Sequence, residues 1–166
     1  MGRFDGVSPK GRLWRNSTVI FVTVGTTMPF PSLLQEVDRL AAAGLFGDQK
    51  LICQIGQSEV DLRHCEVFRF RPVLDDLMQE ADLVITHAGS TVFSLINYRQ
   101  KFIAFPNPIG ADSHQLTLLK RLDKLIPLFW SADVSDLAKL YEKAKENNSY
   151  EIELPRLADH LSTYIT

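Results

Sequence analysis

The segment from Ala81 to Tyr98 changes its hydrophobic period in the middle, and this change limits the possible folds more than any other feature of the chain. Its first part, Leu83 to Ile85, is an unbroken aliphatic run, which is typical of a strand buried on both faces of a parallel sheet. Its last part repeats apolar residues at helical spacing from Val92 onward. Polar residues and a glycine lie between the two parts. The pattern therefore predicts a strand, a tight turn and the start of a helix.

The turn of this segment has the composition of an anion site. The first N–H groups of a helix lack partners within the helix, and the helix dipole places partial positive charge there. Gly89 would let a ligand approach the backbone, and the hydroxyl of Ser90 or Thr91 could cap the helix or bind a phosphate. A purely structural alternative fits this segment equally well, with Ser90 as a helix cap and His87 packed at the strand end.

The rest of the chain alternates predicted strands with predicted helices. Residues 1–17 show no periodicity, and we interpret them as a mobile leader or a pairing arm ahead of a single domain over residues 18–166. The fold class is α/β, with one Rossmann-like, doubly wound, mostly parallel sheet. The predicted strands cover residues 18–24, 51–55, 67–70, 83–85, 102–105 and 126–130, the last at a sheet edge. The predicted helices begin near Pro31, Pro72, Ser90, Asp112, Asp133 and Pro155.

Polar loops follow four of these strands, at residues 25–27, 56–58, 86–91 and 107–115. In a doubly wound sheet the ligand binds outside the carboxyl ends of the strands, where the winding reverses. The first loop lacks the second and third glycines of the dinucleotide fingerprint, which disfavours a nicotinamide or flavin site. The sequence therefore predicts a site for another kind of ligand at this edge.

Composition excludes several classes of protein. A net charge of −2 and a pI near 6.1 argue against electrostatic binding of nucleic acid. Cys53 is predicted to be a core residue, and Cys65 beside His64 has no second ligand cluster nearby, so we predict no metal site. No apolar run has the length of a membrane span or the character of a signal peptide, and we expect a cytoplasmic protein.

Five motifs in order, VTVGTT, ICQIGQS, RHCEVFRF, ADLVITHAGS and SHQ, resemble the MurG-type (family 28) glycosyltransferase C-terminal domain. The resemblance runs from about Val19 to Leu122 and is closest to the small PssE-like subunits of two-chain enzymes. It implies the C-terminal half of a GT-B fold. It also implies an inverting glycosyltransferase subunit that binds a UDP-sugar, while a membrane-associated PssD-like partner holds the lipid-linked acceptor.

The same resemblance implies where and how such a subunit works. The chain would act in exopolysaccharide or related glycan synthesis, would be inactive alone, and would be recruited to the cytoplasmic face of the membrane through its partner. No metal and no other cofactor is expected, because a helix N-terminus would offset the charge of the donor diphosphate. No catalytic residue is expected in this chain, since such enzymes carry the base on the other half.

The resemblance assigns donor-binding residues by position. Near the donor phosphates or the partner it places Gly25, Thr26 and Thr27. Beside the uracil edge, through backbone groups, it places Phe70 and Arg71. The diphosphate turn would be formed by His87, Gly89, Ser90 and Thr91, and the donor sugar would be reached by His114 and Gln115.

The chain also departs from the pattern of this family. Thr91, Val92 and Leu95 stand where the family usually has Gly, Ser or Thr, and Glu, the last being expected to hold the ribose hydroxyls. Ser113 stands where an Asn usually precedes the His-Gln pair. An alternative is therefore a scaffold subunit that docks on a membrane partner without binding nucleotide. A nucleotide hydrolase is disfavoured, because the chain has no P-loop and no plausible Ser-His-Asp order.

Overall fold

A computed structural model describes residues 18–109 and 114–147 of the 166-residue chain. The strands in these ranges are Val19–Thr23 (β1), Lys50–Gln54 (β2), Glu66–Phe68 (β3), Leu83–His87 (β4), Phe102–Phe105 (β5) and Phe129–Trp130 (β6). The helices are Pro31–Ala42 (α1), Asp75–Glu80 (α2), Thr91–Asn97 (α3), His114–Leu122 (α4) and Leu137–Glu146 (α5). A short 3-10 helix, Val134–Asp136, directly precedes α5.

The six strands form one parallel sheet in the order β3-β2-β1-β4-β5-β6. The chain winds outward from β1 to β3, returns to place β4 beside β1, and then winds outward to β6. The direction of winding therefore reverses between β1 and β4, where Thr23 pairs with Thr86. The prediction of a doubly wound α/β sheet is confirmed. The reversal is also where sheets of this kind bind ligands.

Helices cover both faces of the sheet because the strands alternate their side chains between two cores. Ile20 and Val22 of β1 point to the face covered by α1 and α5, and Phe21 points to the face covered by α2, α3 and α4. Each fully buried aliphatic or aromatic side chain contributes roughly 1.5–3 kcal/mol to folding. Among the described helices, none combines the length and the apolar character that crossing a bilayer requires.

The β3–α2 connection differs from its prediction. Strand β3 ends at Phe68, and α2 begins at Asp75 rather than at Pro72. The carbonyls of Phe68 and Arg69 accept hydrogen bonds from the Ile55 and Gly56 amides, and beyond them the chain leaves the sheet. The period of a helix beginning at Pro72 also predicts that Val73 points inward, and this is wrong, because the Val73 side chain is 57% exposed. An apolar residue after a short edge strand has no neighbouring layer to pack against.

Several other predictions can be checked at the level of single residues. Cys53 is buried in the core, as predicted. Asp133 caps the 3-10 helix before α5, since its carboxylate accepts a hydrogen bond from the Ser135 amide at 2.9 Å. Strand β6 is an edge strand, also as predicted. The leader, the proposed helix start at Asp112 and the helix from Pro155 lie outside the described residues, and the domain limits 18–166 stay a prediction.

Candidate functional site at the carboxyl edge of the sheet

Three glycine-containing loops meet where the carboxyl ends of β2, β1 and β4 lie side by side. The register pairs Thr23 with both Gln54 and Thr86, so the residues that follow these strands are neighbours. Gly25, Gly56 and Gly89 are in these loops. The predicted convergence of polar loops at one edge is therefore present in the structure.

The ring of His87 lies against the backbone of two of these glycines. A Cβ at Gly25 would lie 2.9 Å from Cε1 of His87, and a Cβ at Gly89 would lie 2.3 Å from its Nε2. Gly25 also has a φ of +77°, which L side chains rarely adopt. Glycine is therefore required at both positions if His87 is to keep its place.

Burial favours the neutral form of His87. Burial lowers the pKa of its imidazole below the ordinary value, and the backbone of Thr23 opposes only part of that shift. Its Nδ1 is buried and makes no hydrogen bond of good geometry within the described residues. His87 therefore shapes the turn by packing, and its burial disfavours a positive charge on the imidazole.

The β1–α1 loop is held at both of its ends. At its first end the loop packs closely against Gly56, since a Cβ at Gly56 would lie 2.1 Å from the carbonyl oxygen of Gly25. The second end is held by the hydroxyl of Ser58, which accepts a hydrogen bond from the Phe30 amide at 2.9 Å. The three residues between, 26–28, are exposed. Thr26 and Thr27 thus lie at the site on a loop with defined ends.

The turn before α3 offers three backbone donors. The amides of Val92 and Phe93 donate to the carbonyls of Gly89 and Ser90 at 3.1 Å. In contrast, the amides of residues 89–91 donate to no group in the described part of the chain. Ser90 is exposed, and its side chain makes no capping hydrogen bond, so the structural alternative in which it caps the helix is not realised.

Gln115 is joined to the β5–α4 loop. Its Oε1 accepts a hydrogen bond from the Asn107 amide at 2.8 Å. His114 is exposed and begins α4. Asn107 itself donates from Nδ2 to the carbonyl of Pro29 at 2.9 Å, which ties this loop to the β1–α1 loop. Gln115 is therefore connected to the loop of Thr26 and Thr27 through one intervening residue.

Phe70 and Arg71 lie at the same edge but farther along the sheet, after β3. The Phe70 side chain is 72% exposed. The Arg71 guanidinium pairs with Asp76 at 3.4 Å and lies 5.9 Å from the centre of the Phe68 ring. With strands about 4.8 Å apart, β3 is about 10 Å from β1. The predicted residues thus form a row along the edge, and those after β1 and β4 are in contact.

A buried polar layer lies directly below the loops, and sequence reasoning missed it. Thr23, Gln54 and Thr86 are all fully buried on three adjacent strands. The Thr23 hydroxyl donates to Oε1 of Gln54, while Nε2 of Gln54 has no partner among the described residues. The one available signal was a polar residue at the end of each aliphatic run.

Asn107 and Gly56 were predicted only as members of polar loops, without a role of their own. Their importance depends on contacts with residues distant in sequence, which no local pattern reveals. Metal binding has no support in the described ranges, where no three His, Cys, Asp or Glu side chains converge in a suitable arrangement.

Comparisons with known proteins identify a family and agree with the fold. A family model for the glycosyltransferase family 28 C-terminal domain matches residues 19–153. The human protein UDP-N-acetylglucosamine transferase subunit ALG13 is 32% identical over 127 residues, a match that covers 67% of this chain. The chain spans only 11% of the length of that relative.

Two solved structures share the fold. MurG of Acinetobacter baumannii matches with a TM-score of 0.59 and 20% identity, over 82% of this chain and 44% of MurG. An NMR solution structure of ALG13 matches with a TM-score of 0.55 and 20% identity, over 78% of this chain and 87% of that structure. The chain thus corresponds to less than half of MurG and to most of the ALG13 structure.

Proposed function

The chain belongs to the glycosyltransferase family 28 C-terminal domain family, and on this basis we propose that it binds the UDP-sugar donor of an inverting glycosyltransferase. One observation carries the proposal. Three backbone amides of residues 89–91, with no acceptor in the described chain, lie at the reversal of the sheet beside a ring that requires Gly25 and Gly89. Amides in this arrangement suit a diphosphate.

In the proposed mechanism, this chain stabilises the leaving group. An acceptor hydroxyl attacks the anomeric carbon of the sugar, the bond to the diphosphate oxygen breaks, and UDP leaves with its added negative charge. Donors that are already oriented stabilise that charge without reorganising. The amides of residues 89–91 would provide this stabilisation, and His87 would hold the turn in shape.

Other residues would orient the rest of the donor. Thr26 and Thr27 are exposed on a loop held at both ends and would contact the phosphates or the partner. Backbone groups of Phe70 and Arg71 would meet the uracil edge, and His114 and Gln115 would reach the sugar. Orientation of this kind lowers the barrier because the reactive geometry is set before reaction.

We further propose that turnover requires a second subunit. It would be a PssD-like, membrane-associated glycosyltransferase half that holds a lipid-linked acceptor and carries the catalytic base. The chain would then work in exopolysaccharide or related glycan synthesis at the cytoplasmic face of the membrane. The match to a protein named as a transferase subunit supports a partner of this class. We propose no metal and no other cofactor.

One observation favours the alternative of a docking subunit that does not bind nucleotide. Leu95 stands at the position where the family usually has the ribose-binding Glu. Its side chain is fully buried in the core between α3 and the sheet. The ribose would therefore need another partner, and donor affinity depends on the remaining contacts.

Calorimetric titration distinguishes the two functions. The purified chain is titrated with UDP, UMP, UDP-glucose, UDP-glucuronate and UDP-N-acetylglucosamine, with and without EDTA. We expect UDP to bind more tightly than UMP, because only UDP has the β-phosphate, and we expect EDTA to change nothing. Failure of all five ligands to bind would favour the docking subunit.

The variant Ser90→Asp tests whether the diphosphate binds at the turn before α3. A carboxylate next to the diphosphate should weaken UDP binding about tenfold or more through charge repulsion. The same carboxylate should slightly stabilise the fold, by about 0.3–1 kcal/mol, because it lies at a helix N-terminus. Ser90→Asn is the uncharged control. Equal UDP affinity in the two variants would contradict a diphosphate at this turn.

A further inference from the structure

Asn107 makes three hydrogen bonds that connect two loops of the carboxyl edge. Its Nδ2 donates to the carbonyl of Pro29 at 2.9 Å, across a separation of 78 residues. Its Oδ1 accepts from the Ile109 amide at 3.0 Å, and its own amide donates to Oε1 of Gln115 at 2.8 Å. The residue is only 6% exposed. The Asn107 side chain is therefore largely removed from water, although its three bonds are only part-buried, and an amide left there without partners has a cost.

The contact with Pro29 fixes a segment that has few other ways to be held. Pro29 and Pro31 have no backbone N–H, so Phe30 is the one amide donor between them. That amide donates to Ser58, and the Pro29 carbonyl accepts from Asn107. Two buried side chains from different loops thus hold the end of the β1–α1 loop.

The opposite side of Asn107 fixes the start of α4. Through the bond to Gln115, the first turn of that helix is tied to the same residue that holds Pro29. Thr26 and Thr27 lie on the tied β1–α1 loop, and Gln115 lies in the first turn of α4. In the proposed function, these residues contact the phosphates and the sugar of one donor molecule.

We propose that Asn107 is a positioning residue, which sets the Thr26–Met28 loop relative to Gln115 so that both can contact a single nucleoside diphosphate sugar. The inference rests on the proposed function for the identity of the ligand. Asn107 itself does not touch the ligand. Its effect on binding passes through Pro29 on one side and through Gln115 on the other.

The test compares Asn107→Asp with Gln100→Glu. Asn107→Asp keeps the acceptor for the Ile109 amide and the backbone donor for Gln115, but it removes the donor to Pro29 and adds a carboxylate charge. Gln100 is an equally buried amide at the opposite edge of the sheet, where Nε2 donates to the carbonyls of Met78 and Ala81. Gln100→Glu is therefore the same chemical change, made away from the site. Asn107→Ala provides a second variant without a buried charge.

Amide hydrogen exchange reports on the loop. The rate at Phe30 is divided by the rate at Ile85, a core amide, so that a general loss of stability cancels. We expect this ratio to rise about tenfold in Asn107→Asp and Asn107→Ala, the size expected when one buried hydrogen bond is lost and its acceptor is left unpaired. We expect no rise in Gln100→Glu. A ratio that changes no more in the Asn107 variants than in Gln100→Glu would overturn the inference.

Donor binding tests whether the position of the Thr26–Met28 loop affects the affinity for the UDP-sugar. We expect the tightest-binding UDP-sugar to bind about tenfold more weakly to Asn107→Asp and within about twofold of normal to Gln100→Glu. A loosened loop with unchanged donor affinity would overturn the positioning role. If the unmodified chain binds no donor, the proposed function fails together with the ligand part of the inference. The exchange ratio still decides whether Asn107 holds the loop.

Discussion

The two edges of the sheet both contain buried polar side chains, yet they use them differently. At the amino edge, Asp82 accepts a hydrogen bond from the Val19 amide at 2.8 Å, and Gln100 donates to two backbone carbonyls. Lys101 donates from Nζ to the carbonyls of Ala144 and Asn147, at the end of α5. Asp82 thus joins the starts of β4 and β1, whereas Gln100 and Lys101, just before β5, bind the chain at the ends of α2 and α5.

The carboxyl edge contains buried polar atoms that the described chain does not satisfy. Nε2 of Gln54 and Nδ1 of His87 both lack hydrogen-bond partners there. A buried, unsatisfied polar group costs about 1–3 kcal/mol, so folding alone would not favour this arrangement. The amino edge therefore uses its polar side chains to stabilise the fold, whereas the carboxyl edge leaves two polar atoms unpaired at the place where a ligand is proposed to bind.

Glycine substitutions at the two edges should give the largest contrast. Gly56 at the carboxyl edge has a φ of +54°, and Gly47 near the amino edge has a φ of +56°. A Cβ at Gly56 would clash with the Gly25 carbonyl, whereas a Cβ at Gly47 would meet nothing within 4 Å. We expect Gly56→Ala to lower the free energy of unfolding by about 2–5 kcal/mol, from backbone strain and overpacking together.

Gly47→Ala is the matched control and should cost only the strain, about 1–2 kcal/mol. Urea unfolding followed by circular dichroism measures both variants. If the two variants lose the same amount of stability, the loops after β1 and β2 are not packed as tightly as the structure shows.

Substitutions at Gln115 should separate folding from donor binding. Gln115→Ala removes the acceptor for the Asn107 amide and should destabilise the fold by about 1 kcal/mol. Gln115→Glu keeps an acceptor oxygen in the same place and replaces the side-chain amide nitrogen with a second oxygen. We expect Gln115→Glu to retain stability and UDP affinity but to bind UDP-sugars several-fold more weakly.

The measurements are thermal unfolding and calorimetric titration with UDP and with UDP-sugars. Equal effects of Gln115→Glu on UDP and on UDP-sugars would argue against contact with the sugar. Unchanged binding of both ligands would leave Gln115 a structural role only, comparable with that of Gln100 at the other edge.

The smallest expected effect is the pH dependence due to His87. Burial lowers the pKa of this group in the folded state, so below the unfolded-state pKa of about 6.5 the unfolded chain binds the proton more strongly. Stability should therefore be complete above about pH 6.5 and should fall as the pH drops toward the folded-state pKa. His87→Gln should reduce this slope, as measured by urea unfolding at a series of pH values. Identical slopes would mean that other groups cause the acid sensitivity.

Sequence patterns predicted most of the fold because each core strand is a compact aliphatic run. Leu83 to Ile85 indicated a doubly buried strand, because the helical spacing of apolar residues began a few residues later. The patterns failed after β3, where Val73 matched the helical period but lies exposed. Periodicity describes which side of an element is apolar, and it does not reveal whether a second layer is present to cover that side.

The site was only partly predictable for a related reason. Glycines after strands indicated where a ligand could approach, and the loops with Gly25 and Gly89 do meet at His87. Ser90 showed the limit, since a residue suited to capping the helix makes no cap. Local propensity states what a side chain can do, whereas its neighbours decide what it does.

The sequence by itself determined the fold class, the parallel sheet and the edge at which polar loops gather, because hydrophobic period and turn composition are local properties. Tertiary structure alone decided that Asn107 holds Pro29, that Gly56 packs against the Gly25 carbonyl, and that burial lowers the pKa of His87. These features depend on distances between residues far apart in the chain. Such distances are set only when the strands take their order in the sheet.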